Sequence, residues 1–403
     1  MRKIVFINTS YWAWGELTIA IQFAKRLKRA ECLFIVPPSH ESRIKRSGFE
    51  YRILIPHGKR LNRLTFSEVQ SAFGPDLVIL SDLLNYAFCD THYGLTFEDL
   101  ELFKCSCGGF DLYDLKKTAG KVDTFGFIDR KIKSFDFSYL SLFLQPCPIL
   151  SPFTNKQTGS VRYSLFEMQK PVRKKEQTDA KNKLGINENQ KIVFITNATW
   201  QQNHRLYPET IEFISSCYDS IYSSMTNLPQ DIQIICVGPR RFFPTNCSKN
   251  FSHIESMPEE EFKTFISAAD LLVSNNFIST SMVEVALKGI PVLLLQNSYF
   301  KFKDRKGWAG GRKAPEPAQV AALEKVYPFR MFPVGWFLFL DPIVTNNPFY
   351  SILPHIEIYD NEKITGTILS MLESTYREEF NKRIEHFKKK LVELPEPDEA
   401  IEA

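Results

Sequence analysis

Residues 268–297 read AADLLVSNNFISTSMVEVALKGIPVLLLQN. Residues 271–274 form a short apolar strand, and 275–279 a loop of small and amide side chains. A helix over about 280–288 opens with three hydroxyl residues, Ser279, Thr280 and Ser281, and stops at Gly289. Pro291 then forces an extended chain into the apolar run 292–295. The whole is one βαβ unit, and two continuous apolar strands joined by a helix imply a parallel sheet covered on both faces.

Ligands of such sheets bind beyond the C-terminal strand ends, and a helix start rich in backbone N–H groups can hold a diphosphate without a basic side chain. Residues 191–196, a helix over 207–225, a strand at 232–238 and a helix at 259–268 extend the same sheet. The first half repeats the plan, with strands at 3–8, 32–36, 51–55 and 77–80 and further strands at 122–128 and 142–150. A helix over 16–29 there carries Leu17, Ala20, Ile21, Ala24 and Leu27 on one face. Residues 85–114 show no clear periodicity and read as a variable segment. The expected organisation is an N-terminal Rossmann-like domain (1–165), a Pro-marked, charged linker (166–190), a C-terminal Rossmann-like domain (191–375) with an aromatic insertion (298–354), and a charged helix and tail (376–403). The acidic tail from Pro395 reads as disordered.

The order of an Ala-Asp dipeptide, an apolar strand, a polar loop with Ser and Thr, a Glu early in a helix, then Gly-x-Pro and a strand resembles the nucleotide-sugar site of GT-B glycosyltransferases. The runs PDLVILSD at 75–82 and KIVFITN at 191–197 resemble strands of that superfamily's two domains. The resemblance implies an α/β fold of two Rossmann-like parallel-sheet domains facing across a cleft, with the final helix returning to the first domain. It implies a metal-independent glycosyltransferase that moves a sugar from a nucleotide-diphosphate donor to a small-molecule, lipid or peptide acceptor. The same fold also hosts nucleotide-sugar epimerases and hydrolases, and a degenerate member could serve as a binding protein.

Carried over by position, the resemblance points to Asn276, Ser279, Thr280 and Ser281 for the diphosphate and Glu284 for the ribose. Asn197, Thr199 and Trp200, after the first strand of the second domain, form the second wall. Where the superfamily usually has a Gly pair or His-Gly in the loop, this chain has Asn276-Phe277-Ile278. Glu284 also has a purely structural reading, as the partner of Ser281 in a capping box. The general base falls on Glu16, which follows Gly15 at the first helix start, with Asp82 at its strand end as the next candidate. A helix N-terminus favours the charged carboxylate, which would make Glu16 a weak base.

The 403 residues are 44% hydrophobic and 24% charged, with net charge +4. That composition suits a soluble protein and argues against a nucleic-acid partner. No apolar run reaches membrane-spanning length, so membrane contact would be at most peripheral. The 8 cysteines are scattered, several within strand-like runs, which suits a reducing, cytoplasmic setting. Cys105 and Cys107 lack companions for a metal site, and no metal or cofactor other than the donor nucleotide is expected.

Overall fold

The computed structural model describes residues 1–11, 14–118, 121–123, 132–134, 136–153, 158–198, 201, 208–239, 250–302, 305–308, 317–326, 340 and 343–402. The chain divides into two compact units. The first comprises Met1–Asp123, Ile132–Glu167 and Lys389–Ala403, and the second Met168–Lys388.

In the first unit, strands β1 (Arg2–Ile7), β2 (Ala30–Val36), β3 (Glu50–Ile53), β4 (Leu77–Leu80) and β5 (Ser106–Phe110) precede a separate antiparallel pair, β6 (Lys121–Asp123) and β7 (Ile132–Ser134). Strands β8 (Leu142–Cys147) and β9 (Ser160–Ser164) complete a seven-stranded parallel sheet of order β3-β2-β1-β4-β5-β8-β9. Its core is aromatic: Phe6 stacks on Phe34 at 4.9 Å, and Phe23 meets Tyr163 edge-on at 4.9 Å. Full burial of each such ring stabilises by roughly 1.5–3 kcal/mol.

Three expectations for this unit need correction. The segment 85–114 contains β5, a central strand whose sequence SCGGF has low strand propensity. Its glycines are there for close packing, since a Cβ on Gly108 would lie 2.7 Å from the Leu142 carbonyl and one on Gly109 would lie 2.3 Å from Leu83 Cδ2. Residues 121–123 belong to the small antiparallel pair and not to the main sheet, while 124–128 lie outside the described residues. The tail is ordered: a buried Arg26 pairs with Glu396 at 2.6 Å, Asp398 accepts from the Lys28 backbone N–H at 3.0 Å, and Pro397–Ala400 is helical. A buried guanidinium needs an anion, and the acidic tail supplies it.

In the second unit, β10 (Lys191–Thr196), β11 (Ile232–Val237), β12 (Phe251–Ile254), β13 (Leu271–Ser274) and β14 (Val292–Gln296) are followed by the hairpin β15 (Tyr299–Phe302) and β16 (Arg305–Trp308), then by β17 (His355–Glu357). The parallel sheet has the order β12-β11-β10-β13-β14-β17. Helices Pro208–Thr226 and Asn361–Met371 pack Phe213, Ile221, Ile364 and Ile368 into its core. The opening βαβ unit stands as read, and Gly289, at φ +75°, ends its helix with Ile290 N–H donating to Val285 O. The C-terminal charged segment is two helices, Asn361–Met371 and Ser374–Leu391.

Candidate active site

Each sheet order reverses at one point, between β1 and β4 in the first unit and between β10 and β13 in the second. At such a reversal the connections leave to opposite faces and open a crevice at the strand ends, where ligands of open α/β sheets bind.

In the first unit the register pairs Ile7 with Leu80, so Asn8 and Ser81 follow side by side, and Asp82 comes next. Asp82 caps the helix Leu83–Ala87, accepting from the Asn85 backbone N–H and from its side-chain amide, both at 3.0 Å. Glu16 sits in the first turn of the helix Trp14–Arg26. Both carboxyls are buried, Glu16 at 8% and Asp82 at 4% exposure. Burial pushes Asp82 up to about 6, against the pull of its Asn85 hydrogen bonds. Glu16 rises well above the usual carboxylate range, first through burial and then through the charge of Asp82. Burial therefore overrides the helix-terminus effect that predicted a weak base, since removing a carboxylate from water outweighs a partial dipole charge. The Tyr113 phenol, raised by burial and then by the charges of Asp82 and Glu16, marks the same cluster. Asn8 and Ser81 are also buried, and no described group bonds to the Asn8 carboxamide, the Ser81 hydroxyl or Glu16 Oε2.

In the second unit Thr196 pairs with Ser274, which sets Asn197 beside Asn275. Asn197 donates through Nδ2 to Cys236 Sγ at 3.1 Å. Gly238 permits this close fit, because a Cβ there would lie 2.2 Å from the Asn197 carbonyl. Asn276 folds the loop, its Oδ1 accepting from Ile278 N–H at 3.3 Å and its own N–H donating to Ser274 Oγ at 3.1 Å. Ser279 is the N-cap of the helix Thr280–Leu287, its hydroxyl accepting from Met282 N–H at 3.3 Å. Thr280 is buried and Ser281 half-buried in the first turn. Thr199 and Trp200 lie outside the described residues.

Because Ser279 takes the cap, Ser281 and Glu284 do not form the expected capping box. Glu284 lies one turn further on and accepts from Lys288 Nζ at 2.7 Å. The departure at Asn276-Phe277-Ile278 also has a structural partner. Phe277 is buried, its ring meets His355 edge-on at 5.2 Å, and its carbonyl accepts from the Tyr350 hydroxyl at 2.8 Å. The loop that glycines usually make is here pinned by a ring against His355 at the start of β17 and by Tyr350 shortly before it.

Sequence reading missed several polar groups at these strand ends. Gln296 donates to the buried Glu357 carboxylate at 2.8 Å, and Glu357 also accepts from Ser298 N–H at 3.0 Å. Asn275 and Asn297 are buried amides beside them. The available signal was an amide directly after four of the apolar strands, at Asn8, Asn197, Asn275 and Asn297.

Residues 23–403 match the model of a family described as "Family of unknown function (DUF6365)". The chain belongs to this family. Among curated proteins, none matches the chain in sequence. Among solved structures, this DUF6365 chain is similar to the spinosyn forosaminyltransferase SpnP, with TM-score 0.59 and 11% identity over 100% of this chain and 97% of that one. It is similar to the spinosyn rhamnosyltransferase SpnG complexed with thymidine diphosphate, with TM-score 0.55 and 14% identity over 100% and 99%. A putative UDP-N-acetylglucosamine 2-epimerase from Listeria monocytogenes gives TM-score 0.50 and 11% identity over 98% and 92%. At these identities the likeness is one of fold, and the fold of the DUF6365 chain is that of the GT-B glycosyltransferases. Among its described residues no helix is long and apolar enough to cross a membrane.

Proposed function

We propose that the chain is a metal-independent glycosyltransferase in which Glu16 is the general base and the helix start at Ser279–Ser281 holds the diphosphate of a nucleotide-sugar donor. The observation that carries this reading is the buried Glu16 and Asp82 pair at the reversal point of the first sheet. Two carboxyls taken out of water with no cation paired to them among the described residues destabilise a fold, and perturbed carboxyls at a ligand-binding edge mark a candidate catalytic site. Like charges so close share one proton near neutral pH, which leaves one carboxylate able to accept another. As an acceptor hydroxyl oxygen bonds to the anomeric carbon, its proton passes to Glu16 while the proton the pair already shares moves from Glu16 to Asp82. The anomeric bond to the diphosphate breaks, and the nucleoside diphosphate leaves with the electron pair. Backbone N–H groups of the helix start and the hydroxyls of Thr280 and Ser281 would steady that leaving charge, with Asn197 and Asn276 shaping the loop and Glu284 taking the ribose hydroxyls.

The test is a binding screen of nucleoside diphosphates and their sugars by thermal shift, followed by turnover of Glu16→Gln with the donor so selected. The variant should keep donor affinity while turnover falls by about a hundredfold or more, the scale for a lost positioned base. Unchanged turnover would remove Glu16 from the mechanism. Free sugar or an epimer formed without any acceptor would shift the reading to a hydrolase or an epimerase.

A further inference from the structure

Asn8, Ser81 and Glu16 meet on one face of the first sheet, at its C-terminal edge. Side chains along a strand alternate between faces, so Asn8 lies on the face of Phe6, two residues before it. The register sets Phe6 beside Ile79, and Ser81 N–H donates to Ile7 O at 2.8 Å, which places Ser81 next to Asn8 on that same face. The helix Trp14–Arg26 covers this face, since its Phe23 ring meets Phe6 at 6.4 Å and Phe110 at 5.3 Å. As the crossover between the parallel strands β1 and β2, the helix runs antiparallel to them, with its first turn over the strand ends. Glu16 precedes Phe23 by two helical turns and so stands on the same side of the helix, toward the sheet. Its carboxyl interacts with that of Asp82, the residue after Ser81.

The Asn8 carboxamide has no part in packing that an apolar side chain could not play. It is buried, and neither Nδ2 nor Oδ1 has a hydrogen-bond partner among the described residues. An amide sealed from water and left unbonded weakens a fold, so a purely structural position would favour Leu, which is of similar size. Glu16 Oε2 is unbonded in the same way. The titratable groups facing Glu16 are Asp82, at the end of β4, and Tyr113, in the segment after β5, and neither is a cation. Near neutral pH the carboxyl pair holds one proton and one negative charge, and that charge needs a donor. Asn8 Nδ2 has two N–H groups to give, and a hydrogen bond to an ionised oxygen is about twice as strong as one between neutral groups.

We propose that Asn8 is a positioning residue of the Glu16 and Asp82 pair, its carboxamide N–H donating to Glu16 Oε2 when the pair is charged. A carboxylate oxygen has two lone pairs. With one turned to Asn8, the other is left for the acceptor proton, so Asn8 fixes which oxygen of Glu16 is the base. Asn8 acts through Glu16 and touches no substrate. The inference rests on the reading of Glu16 as the base, yet the bond itself is measurable without a substrate.

Urea unfolding of the full chain tests it at pH ~5, where the pair carries its second proton, and at pH ~7.5, where it is charged. Losing a donor to the charged form raises the pair further above its value in the unfolded chain, so more stability is lost as pH rises. The deficit of Asn8→Leu against wild type should grow between the two pH values by about 1.4 kcal/mol, a tenfold tighter hold on the second proton. Asn8→Ala, which introduces no bulk, should show the same growth and serves if Asn8→Leu does not fold. In a Glu16→Gln background the growth should vanish. A deficit equal at both pH values, as a purely structural amide predicts, or a growth that persists without Glu16, would overturn the proposal. The two readings fail separately. Glu16-dependent growth without any nucleotide-sugar binding would remove the transferase and leave Asn8 as the partner of the pair, while Glu16-dependent turnover without that growth would remove Asn8 alone.

Discussion

Replacing Asp82 with Asn should change how the stability of the first unit depends on pH, and the size of the change follows from burial. Asp82 is raised from 3.8 to about 6, chiefly by burial. A raised carboxyl binds its proton more tightly in the folded chain than in the unfolded one. Its stabilising effect is therefore fully present below the unfolded value near 4 and is lost as pH rises through about 6. About two pKa units at ~1.4 kcal/mol each make this about 2–3 kcal/mol between pH ~4 and pH ~7.5. Asn keeps the cap, since its side-chain oxygen can still accept from the Asn85 N–H, and Asn and Asp are comparable N-caps. The variant has no charge to bury at this position. Glu16, freed from that neighbouring charge, also ionises with less resistance. Urea unfolding of both proteins at the two pH values should show Asp82→Asn gaining about 2–3 kcal/mol on wild type as pH rises. A gain under about 0.5 kcal/mol would mean that Asp82 ionises as in water, and the shared-proton pair would fall with it.

Activity should follow the opposite course, falling with decreasing pH through about 6 as the pair takes its second proton, read as a pH profile of turnover. Asp270 accepts from Lys181 Nζ at 3.0 Å, Ile192 N–H at 2.9 Å and Gln177 Nε2 at 3.0 Å, with the Lys181 side chain only 4% exposed. Asp270→Ala strands that ammonium and should lower stability by about 3–5 kcal/mol in urea unfolding; adding Lys181→Met should recover much of the loss. For Glu284, two variants separate ribose binding from structure: Glu284→Ala should weaken nucleotide binding by about 1.5–3 kcal/mol by titration, whereas Lys288→Met, which removes the ion pair but keeps the carboxylate, should leave it unchanged. Equal effects of the two would assign Glu284 to its helix.

Most of the fold was legible wherever a strand is buried on both faces. Runs such as IVFI in β1, LVIL in β4 and VLLLQ in β14 have no reading but a covered parallel strand, and the Gly289 and Pro291 punctuation bounds its helix without ambiguity. The missed strands fail that test for separate reasons. In β5, glycines stand where neighbouring strands and Leu83 come too close for a side chain, so packing selected residues that local propensity disfavours. Strands β9 and β17, SVRYS and HIE, lie at sheet edges, where one partner is enough and short polar sequences are tolerated. The tail read as disordered because its charge was counted without its partner. Arg26 is 370 residues away in sequence from Glu396, and no local pattern reports such a contact.

The candidate site divides along the same line. Ser279 and Asp82 both cap helices at strand ends as their residue types suggest, whereas the capping box read at Ser281 and Glu284 does not form because Ser279 takes the cap. The chemistry of a carboxyl depends on what surrounds it, and for Glu16 the local rule pointed the wrong way. A first-turn Glu is ordinarily stabilised as an anion, but this one is buried beside a second buried acid, so desolvation sets the sign. The same holds for Phe277. Its place in a loop where glycine was expected has no explanation in the local sequence. The buried ring and the Tyr350 hydrogen bond supply by tertiary packing the fixed loop path that glycines elsewhere supply by conformational freedom, so the helix start behind it keeps its shape.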